Sequence, residues 1–278
     1  MQLAQPDSVE SAIAELAGGK ALAGGTELVP LLRDGILAAE TLVDVRAAVP
    51  HGISGRVIGA GATLAELEAS EEVPAALREA CHLAASPQLR NMGTIGGNLL
   101  QATRCWYWRL QFPCRLHGGD VCHARAGQHR EHAIFANNFC ASAHPSDPAA
   151  ALLALGARIR TDRRELELSQ LYRLPTDDNR STTTLEPDEL ILELELPEVE
   201  ASAYLKAMDR QRWAFALVGV AVARVAGETR IALAGAAPVP WLLAGIEELD
   251  RSTPLPGTAF KVEIARTLVA RATARLPR

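Results

Sequence analysis

The stretch from Asn91 to Asp147 constrains this chain more than any other. It begins with a glycine turn, Asn91-Met-Gly-Thr-Ile-Gly-Gly-Asn-Leu-Leu-Gln101. It then crosses an insert carrying Cys105, Cys114, Cys122 and Cys140, and closes on His144-Pro-Ser-Asp147. Glycines let a backbone adopt positive φ and approach a ligand closely. Alone such a turn is a weak signal. A second one, Gly24-Gly25-Thr26, follows the short strand Ala21–Ala23 and opens a helix running to Arg33 that Thr26 is expected to cap. Strand, glycine turn and helix start together can present free amides to a phosphate. Two such turns make a dinucleotide site between two lobes credible. Neither turn is a G-x-G-x-x-G in a βαβ unit or a G-x-x-x-x-G-K-[ST], so the chain is neither a Rossmann nor a P-loop protein by motif.

The cysteines are unevenly placed. Cys81 stands apart on an apolar helix with Ala80, Leu83 and Ala84 and reads as core, while the other four fall between residues 105 and 140. Five cysteines in a chain this long argue against a disulfide scaffold. No C-x-x-C is present, so the zinc-ribbon and bacterial ferredoxin spacings both fail. Four thiolates can still converge from loops, and soft sulfur ligands favour iron–sulfur or zinc. His117, His123, His129 and His132 could serve zinc. Buried, unliganded thiols are the alternative; Arg104, Arg109, Arg115, Gly118-Gly119-Asp120 and Arg125 weigh against it because they mark exposed loop.

Composition excludes several function classes. At net charge −5, with Lys and Arg spread along the chain, nothing points to a nucleic-acid partner. No apolar run approaches the ~20 residues of a membrane span. Met1-Gln-Leu-Ala-Gln-Pro-Asp7 lacks a basic segment followed by an apolar core, so export would rely on a partner's signal.

Along the chain, Asp7 with Glu10 is a plausible capping pair for a helix bearing Val9, Ile13 and Leu16. Leu42–Val45 and Arg56–Ala60 read as strands, Thr63-Leu-Ala-Glu66 as a capping box, and residues 74–84 as a helix. Phe135–Ala141 can be a strand. Asp147-Pro148 supplies an N-cap and N1 proline for Ala149–Leu155. Residues 158–161 and 164–168 form a hairpin around Asp162-Arg163, and 174–188 are turn-rich. Strands at 190–196, 203–208, 217–225 and 230–234, then helices at 241–249 and 260–276, predict a C-terminal antiparallel sheet with helices on one face. The expected organisation is α+β: a first lobe over 1–50, a second over 51–175 containing the insert 101–140, and a C-terminal α+β domain over 176–278.

Ala23-Gly-Gly-Thr-Glu-Leu28, Arg90-Asn-Met-Gly-Thr-Ile-Gly-Gly-Asn-Leu-Leu100 and His144-Pro-Ser-Asp147 closely resemble the FAD-binding medium subunit of the molybdenum hydroxylases, the xanthine dehydrogenase and carbon monoxide dehydrogenase family. Gln101-Ala-Thr-Arg-Cys-Trp-Tyr-Trp-Arg109 resembles the subgroup carrying an extra 4Fe–4S cluster, which includes the periplasmic aldehyde oxidoreductase and 4-hydroxybenzoyl-CoA reductase flavoprotein subunits. The resemblance implies a two-lobed FAD-binding domain of the PCMH type followed by a carbon monoxide dehydrogenase flavoprotein C-terminal-like domain. It implies that Ala23, Gly24, Gly25, Thr26, Glu27 and Leu28 wrap the FAD pyrophosphate. Thr94, Ile95, Gly96, Gly97 and Asn98 would line the flavin and its phosphates, with Thr103 close by. Asp147 would contact the cofactor, Ile191 or Leu192 would pack near the ring, and Lys206 would lie near it. Cys105, Cys114, Cys122 and Cys140 would be the cluster ligands. Implied partners are a large molybdenum-cofactor subunit and a small subunit with two 2Fe–2S clusters. No residue is expected to act as a general base. Against the family pattern, the N-terminal strand looks shortened and the C-terminal domain trimmed. Two other readings stand beside this one. One is a zinc-stabilised interaction subunit with a vestigial nucleotide site. The other is a stand-alone flavoenzyme of the vanillyl-alcohol oxidase type, disfavoured because no large substrate domain follows residue 175.

Overall fold

Three sheets follow one another along the chain in the computed structural model, which describes residues 1–211 and 213–277. The first lobe contains β1 (Gln2–Ala4), α1 (Val9–Leu16), β2 (Gly19–Leu22), α2 (Leu28–Arg33) and β3 (Thr41–Asp44). Both β1 and β2 pair parallel with β3. The cap of α1 is Ser8, not the expected Asp7: its hydroxyl accepts from the Ser11 amide at 3.2 Å, and Ser11 closes the box in place of Glu10. Thr26 does not cap α2 either. The helix starts only at Leu28, and the position before it, Glu27, is already helical and offers no side-chain cap.

The second lobe runs through β4 (Ile53–Ser54), β5 (Val57–Gly59), α3 (Leu64–Ala69), α4 (Ala75–Leu83), α5 (Pro87–Arg90) and α6 (Ile95–Leu99). The insert adds α7 (Trp106–Arg109), a 3-10 turn over Arg115–His117 and α8 (His123–Ala126). The lobe resumes with α9 (Asp147–Leu155), β6 (Arg158–Thr161), β7 (Glu165–Glu167), α10 (Leu168–Leu171) and β8 (Ile191–Glu195). Its sheet is antiparallel in the order β4-β5-β8-β6-β7. The Thr63–Glu66 capping box forms as the sequence predicts. The strand expected at 190–196 is present, but it pairs with β5 and β6 and does not join the C-terminal sheet. Leu190 and Leu192 pack with Val43 and Val45 of the first lobe, and Ile191 and Leu194 with the second-lobe core, while Glu195 is exposed.

The strand expected at 135–141 does not form. Ala136 sits at φ 47°, and the buried Asn137 side chain donates to the carbonyls of Ala133 (3.1 Å) and Thr253 (2.7 Å). Those bonds take the place of a ladder. Near the end of α9, Gly156 turns at φ 74° with its amide on Leu153, ending the helix in the left-handed conformation that glycine adopts cheaply.

The third sheet, β9 (Ala201–Ala207), β10 (Val218–Val225), β11 (Glu228–Ala234) and β12 (Trp241–Leu243), is antiparallel in the order β12-β11-β10-β9. The helix expected at 241–249 is replaced by β12 and a 3-10 turn over Ile246–Arg251. Glu248 accepts from the Trp241 indole at 2.9 Å and the Ala244 amide at 2.7 Å, folding the segment back on itself. α11 (Phe260–Thr273) covers one face of the sheet. α9 covers the other. Every residue of α9 is buried, which is why it is apolar all round rather than on one stripe. Its alanines let the second lobe and the third sheet approach closely, so Asp147, at its first turn, is carried to their junction. No helix among the described residues is long and apolar enough to cross a membrane.

Candidate cofactor site and cysteine insert

The two glycine turns meet in space. A Cβ on Gly24 would lie 1.7 Å from the Met92 carbonyl oxygen, so only glycine permits the approach. Thr94 caps α6, its hydroxyl accepting from the Gly97 amide at 3.3 Å. Among the described residues, the amides of Gly24, Gly25, Thr26 and Glu27 have no protein acceptor. These turns border a cavity of about 530 Å³, a volume ordinary for a cofactor pocket.

Of the residues the sequence nominates, Ala23 to Leu28, Thr94, Gly96, Gly97, Asn98, Asp147 and Lys206 line it. Three do not. Ile95 is fully buried in the core, its amide donating to Ala62 at 2.8 Å. Leu192 faces the first-lobe core, while Ile191 lines the cavity, because successive strand side chains alternate faces. Thr103 serves the insert: its hydroxyl accepts from the Cys105 amide at 3.1 Å and its carbonyl from Arg109 Nε at 2.9 Å.

A buried polar group closes another wall. Lys206 Nζ donates to Asp147 Oδ2 at 2.7 Å and to the Leu83 carbonyl at 2.9 Å. The Tyr204 hydroxyl donates to Asp147 Oδ1 at 2.5 Å. Burial and the adjacent carboxylate push the Tyr204 phenol well above its ordinary value. Space for that hydroxyl comes from Gly219, where a Cβ would lie 2.0 Å from it. Ser146 caps α9 and donates to Asn98 Oδ1 at 2.5 Å, tying His144–Asp147 to the second glycine turn. His144 itself is buried behind the wall, edge-on to Tyr172 at 5.2 Å. Burial pulls its pKa down to about 3.

The insert packs along the cavity's edge. Glu27 leaves the first turn to meet it: Oε1 accepts from Arg109 Nη2 at 2.6 Å and the Ala102 amide at 3.1 Å. Arg104 Nη1 lies 2.7 Å from Oε2, so the carboxylate is clamped between the two guanidiniums.

The cysteine sulfurs attract backbone donors. Cys105 has the Trp108 and Tyr107 amides, and Cys122 those of Ala141 (3.4 Å), Ala124 and Arg125. Burial raises the Cys105 thiol to about 11. Contact with Cys140 lowers Cys122 to about 5 and raises Cys140. Cys105 also has the His132 Nε2 at 3.2 Å. Burial, then Lys261, holds His132 down to about 4, and its Nδ1 has no partner. Amides on sulfur suit ligating thiolates. Yet among the described residues no three His, Cys, Asp or Glu are drawn close enough to hold a metal ion.

Residues 1–199 match the family model described as the FAD binding domain in molybdopterin dehydrogenase. The chain belongs to this family. It is 37% identical over 243 residues to the aldehyde oxidoreductase FAD-binding subunit PaoB of Escherichia coli, covering 81% of this chain and 76% of that one. It is 37% identical over 106 residues to the carbon monoxide dehydrogenase medium chain of Afipia carboxidovorans, covering 34% of this chain and 37% of that one. Among solved structures, a carbon monoxide dehydrogenase from Hydrogenophaga pseudoflava superposes with a TM-score of 0.71 at 23% identity, covering 100% of this chain and 98% of that one. That likeness supports the α+β fold, including the C-terminal antiparallel sheet.

The residues present fit FAD, the cofactor that names the family. Four free amides, two glycine turns in backbone contact and the cavity they border form a cradle of the kind a diphosphate needs. Sequence reasoning missed Arg104, Trp108, Tyr204 and Phe215, of which all but Tyr204 line the cavity. The signal for Arg104 and Trp108 was their place beside Cys105, read only as insert. Tyr204 lies two residues from Lys206 on one strand face.

Proposed function

We propose that this chain is the FAD-binding electron-transfer subunit of a molybdenum-containing hydroxylase of the aldehyde oxidoreductase type. Its partners are a large molybdenum-cofactor subunit and a small subunit with two 2Fe–2S clusters, and its role is to receive electrons from that small subunit and release them to an external acceptor. The observation that carries this reading is the contact between the two glycine turns, with four amides free beside the cavity. FAD, when bound, supplies the one- and two-electron chemistry. The chain's own residues bind and orient it. Gly24 to Glu27 offer amides, and Thr94, Gly96 and Gly97 shape the second turn. The Asp147–Lys206 pair fixes a polar wall without adding net charge.

The same reading gives the insert a 4Fe–4S cluster on Cys105, Cys114, Cys122 and Cys140. Support comes from the amides around three of the sulfurs and from the Cys122–Cys140 contact. The compartment is the cytoplasm, or the periplasm by export together with a signal-bearing partner.

The test is iron, labile sulfide, zinc and FAD content of the anaerobically purified complex, wild type beside Cys114→Ser. About one FAD and about four iron per chain, with iron lost in the variant, is the expected result. Flavin-free protein that still assembles with both partners overturns the flavin role. Zinc without iron or sulfide reassigns the insert to a zinc-braced structural element, for which the unpartnered buried nitrogens His123 Nε2 and His132 Nδ1 are ready donors.

A further inference from the structure

The insert reaches into the flavin cavity with one charged side chain, and its charge is not balanced there. Among the described residues, five charged ones line the cavity: Glu27, Arg104, Asp147, Glu189 and Lys206. Asp147 is matched by Lys206 at 2.7 Å, and Glu189 by Arg164 at 2.8 Å. Glu27 faces two guanidiniums, those of Arg104 and Arg109. One carboxylate between two permanent cations leaves one positive charge over on that wall, among the described residues. Arg109 is the well-satisfied partner, donating through Nη2 to Glu27 and through Nε to Thr103. Arg104 is the other. Its Nη2 donates to Gln101 Oε1 at 2.9 Å, but its Nε is buried with no acceptor among the described residues. The guanidinium lies over the Phe215 ring at 4.8 Å, which fixes its plane.

A buried guanidinium nitrogen without an acceptor is costly, because the group loses water and gains nothing in return. An anion in the cavity would satisfy the free nitrogen and the spare charge together. The nearest part of the cradle is the 23–28 turn that carries Glu27 and the four free amides.

The geometry points to Arg104 as a diphosphate-binding residue of the flavin site, supplied by the cysteine insert and held in place by Glu27. This rests on the flavin reading above. It gives Glu27 a different task from its neighbours in the turn: its carboxylate positions Arg104 and Arg109, and only its backbone is free for the cofactor. It also makes the insert part of the cofactor site, because Arg104 directly precedes Cys105.

The test is titration of the flavin-stripped complex with FAD and, separately, with riboflavin, which has the ring but no phosphate. Wild type is compared with Arg104→Gln. The expected result is FAD affinity about 10- to 100-fold lower in the variant, as for loss of a charge-assisted hydrogen bond, with riboflavin affinity unchanged. Equal losses for both ligands, or no loss for either, overturn the proposal. Wild type that binds neither ligand overturns the flavin reading instead. Where R104Q is unstable, R104K decides, since it keeps the charge. A retained preference for FAD over riboflavin supports the proposal, and a lost preference overturns it.

Discussion

The flavin cradle and the cysteine insert are neighbours built on opposite principles. The cradle hangs on regular elements. Its turns lead directly into α2 and α6, β8 and β9 supply Ile191 and Lys206, and α9, buried on every side, carries Asp147. Its shape is set by backbone contact and by core that needs no ligand. The insert has two four-residue helices, a 3-10 turn and no strand. Its own apolar cluster is Ala124, Ala141 and Leu255, with Tyr107 and Cys122 against them, and towards its end Ile134 and Phe135 are buried in the core of the third sheet. Ahead of that anchor it is held by polar tethers from outside: Glu27 to Arg104 and Arg109, Arg180 to the carbonyls of Arg115 and Gly119, and Lys261. Lys261 is fully buried and donates to the carbonyls of Glu131, His132 and Gly235. The cysteine-bearing stretch before Ile134 has little apolar core of its own, so burial there does little to offset ordering entropy, the condition under which small domains recruit metal. The cradle is thus preformed, and the insert is the part that needs help.

The largest expected effect tests preformation directly. Gly24→Ala puts a Cβ into the Met92 carbonyl, a backbone atom that cannot swing away, so the two turns must part. FAD retained after desalting is expected to fall close to zero, a loss of about 100-fold or more in affinity. Wild-type flavin content in this variant would show that turn contact is not what makes the cradle.

Next comes the polar wall. Lys206→Met leaves the Asp147 carboxylate buried with Tyr204 as its one remaining side-chain donor among the described residues. Removing one partner of a buried pair costs about 3–5 kcal/mol. Urea unfolding should show that loss, and the double variant with Asp147→Asn should recover most of it, since the two sites are directly coupled. A single variant as stable as wild type would mean the wall tolerates an unpaired charge and is softer than its burial implies.

Metal removal separates the two regions more gently. Chelation of the purified complex should raise amide exchange across residues 105–140 by about tenfold, while α6 and α9 stay protected. Equal loosening of both regions would break the contrast, and no loosening anywhere would mean the tethers suffice alone.

What could be read from the sequence follows the same division. The cradle's turns were legible because glycine is chosen for backbone reasons that show in the chain itself. Which side chains of a matched motif face the ligand was not legible: Ile95 and Leu192 point to core, a matter of one-residue phase on a helix and a strand. Capping choices were off by one residue at Ser8 and Ser146, because neighbouring polar residues compete for the same amides. The segment 241–249 has helical composition and becomes a strand and turn because Glu248 reaches back to Trp241, a tertiary outcome no periodicity records. The insert's cysteines were legible as a set, but the residues that hold the insert in place lie far along the chain at Arg180 and Lys261.

The smallest predicted effect probes whether the cradle's rigidity has a pH signature. His144 sits between the cavity wall and Tyr172, and burial lowers its pKa from 6.5 to about 3. The folded state therefore keeps the ring neutral where the unfolded chain takes up a proton. Below pH 6.5 the unfolded state binds more protons, so stability must fall as the pH drops, and the decline ends near pH 3 where the folded form also protonates. Between pH 6.5 and 5.5 this one group is expected to contribute about 1 kcal/mol of the loss. His144→Gln removes the titration, so its unfolding free energy should run flatter than wild type over that interval. Parallel curves would mean that the ring protonates without disturbing the fold, and that the wall behind the flavin cavity is open enough to solvate a charge.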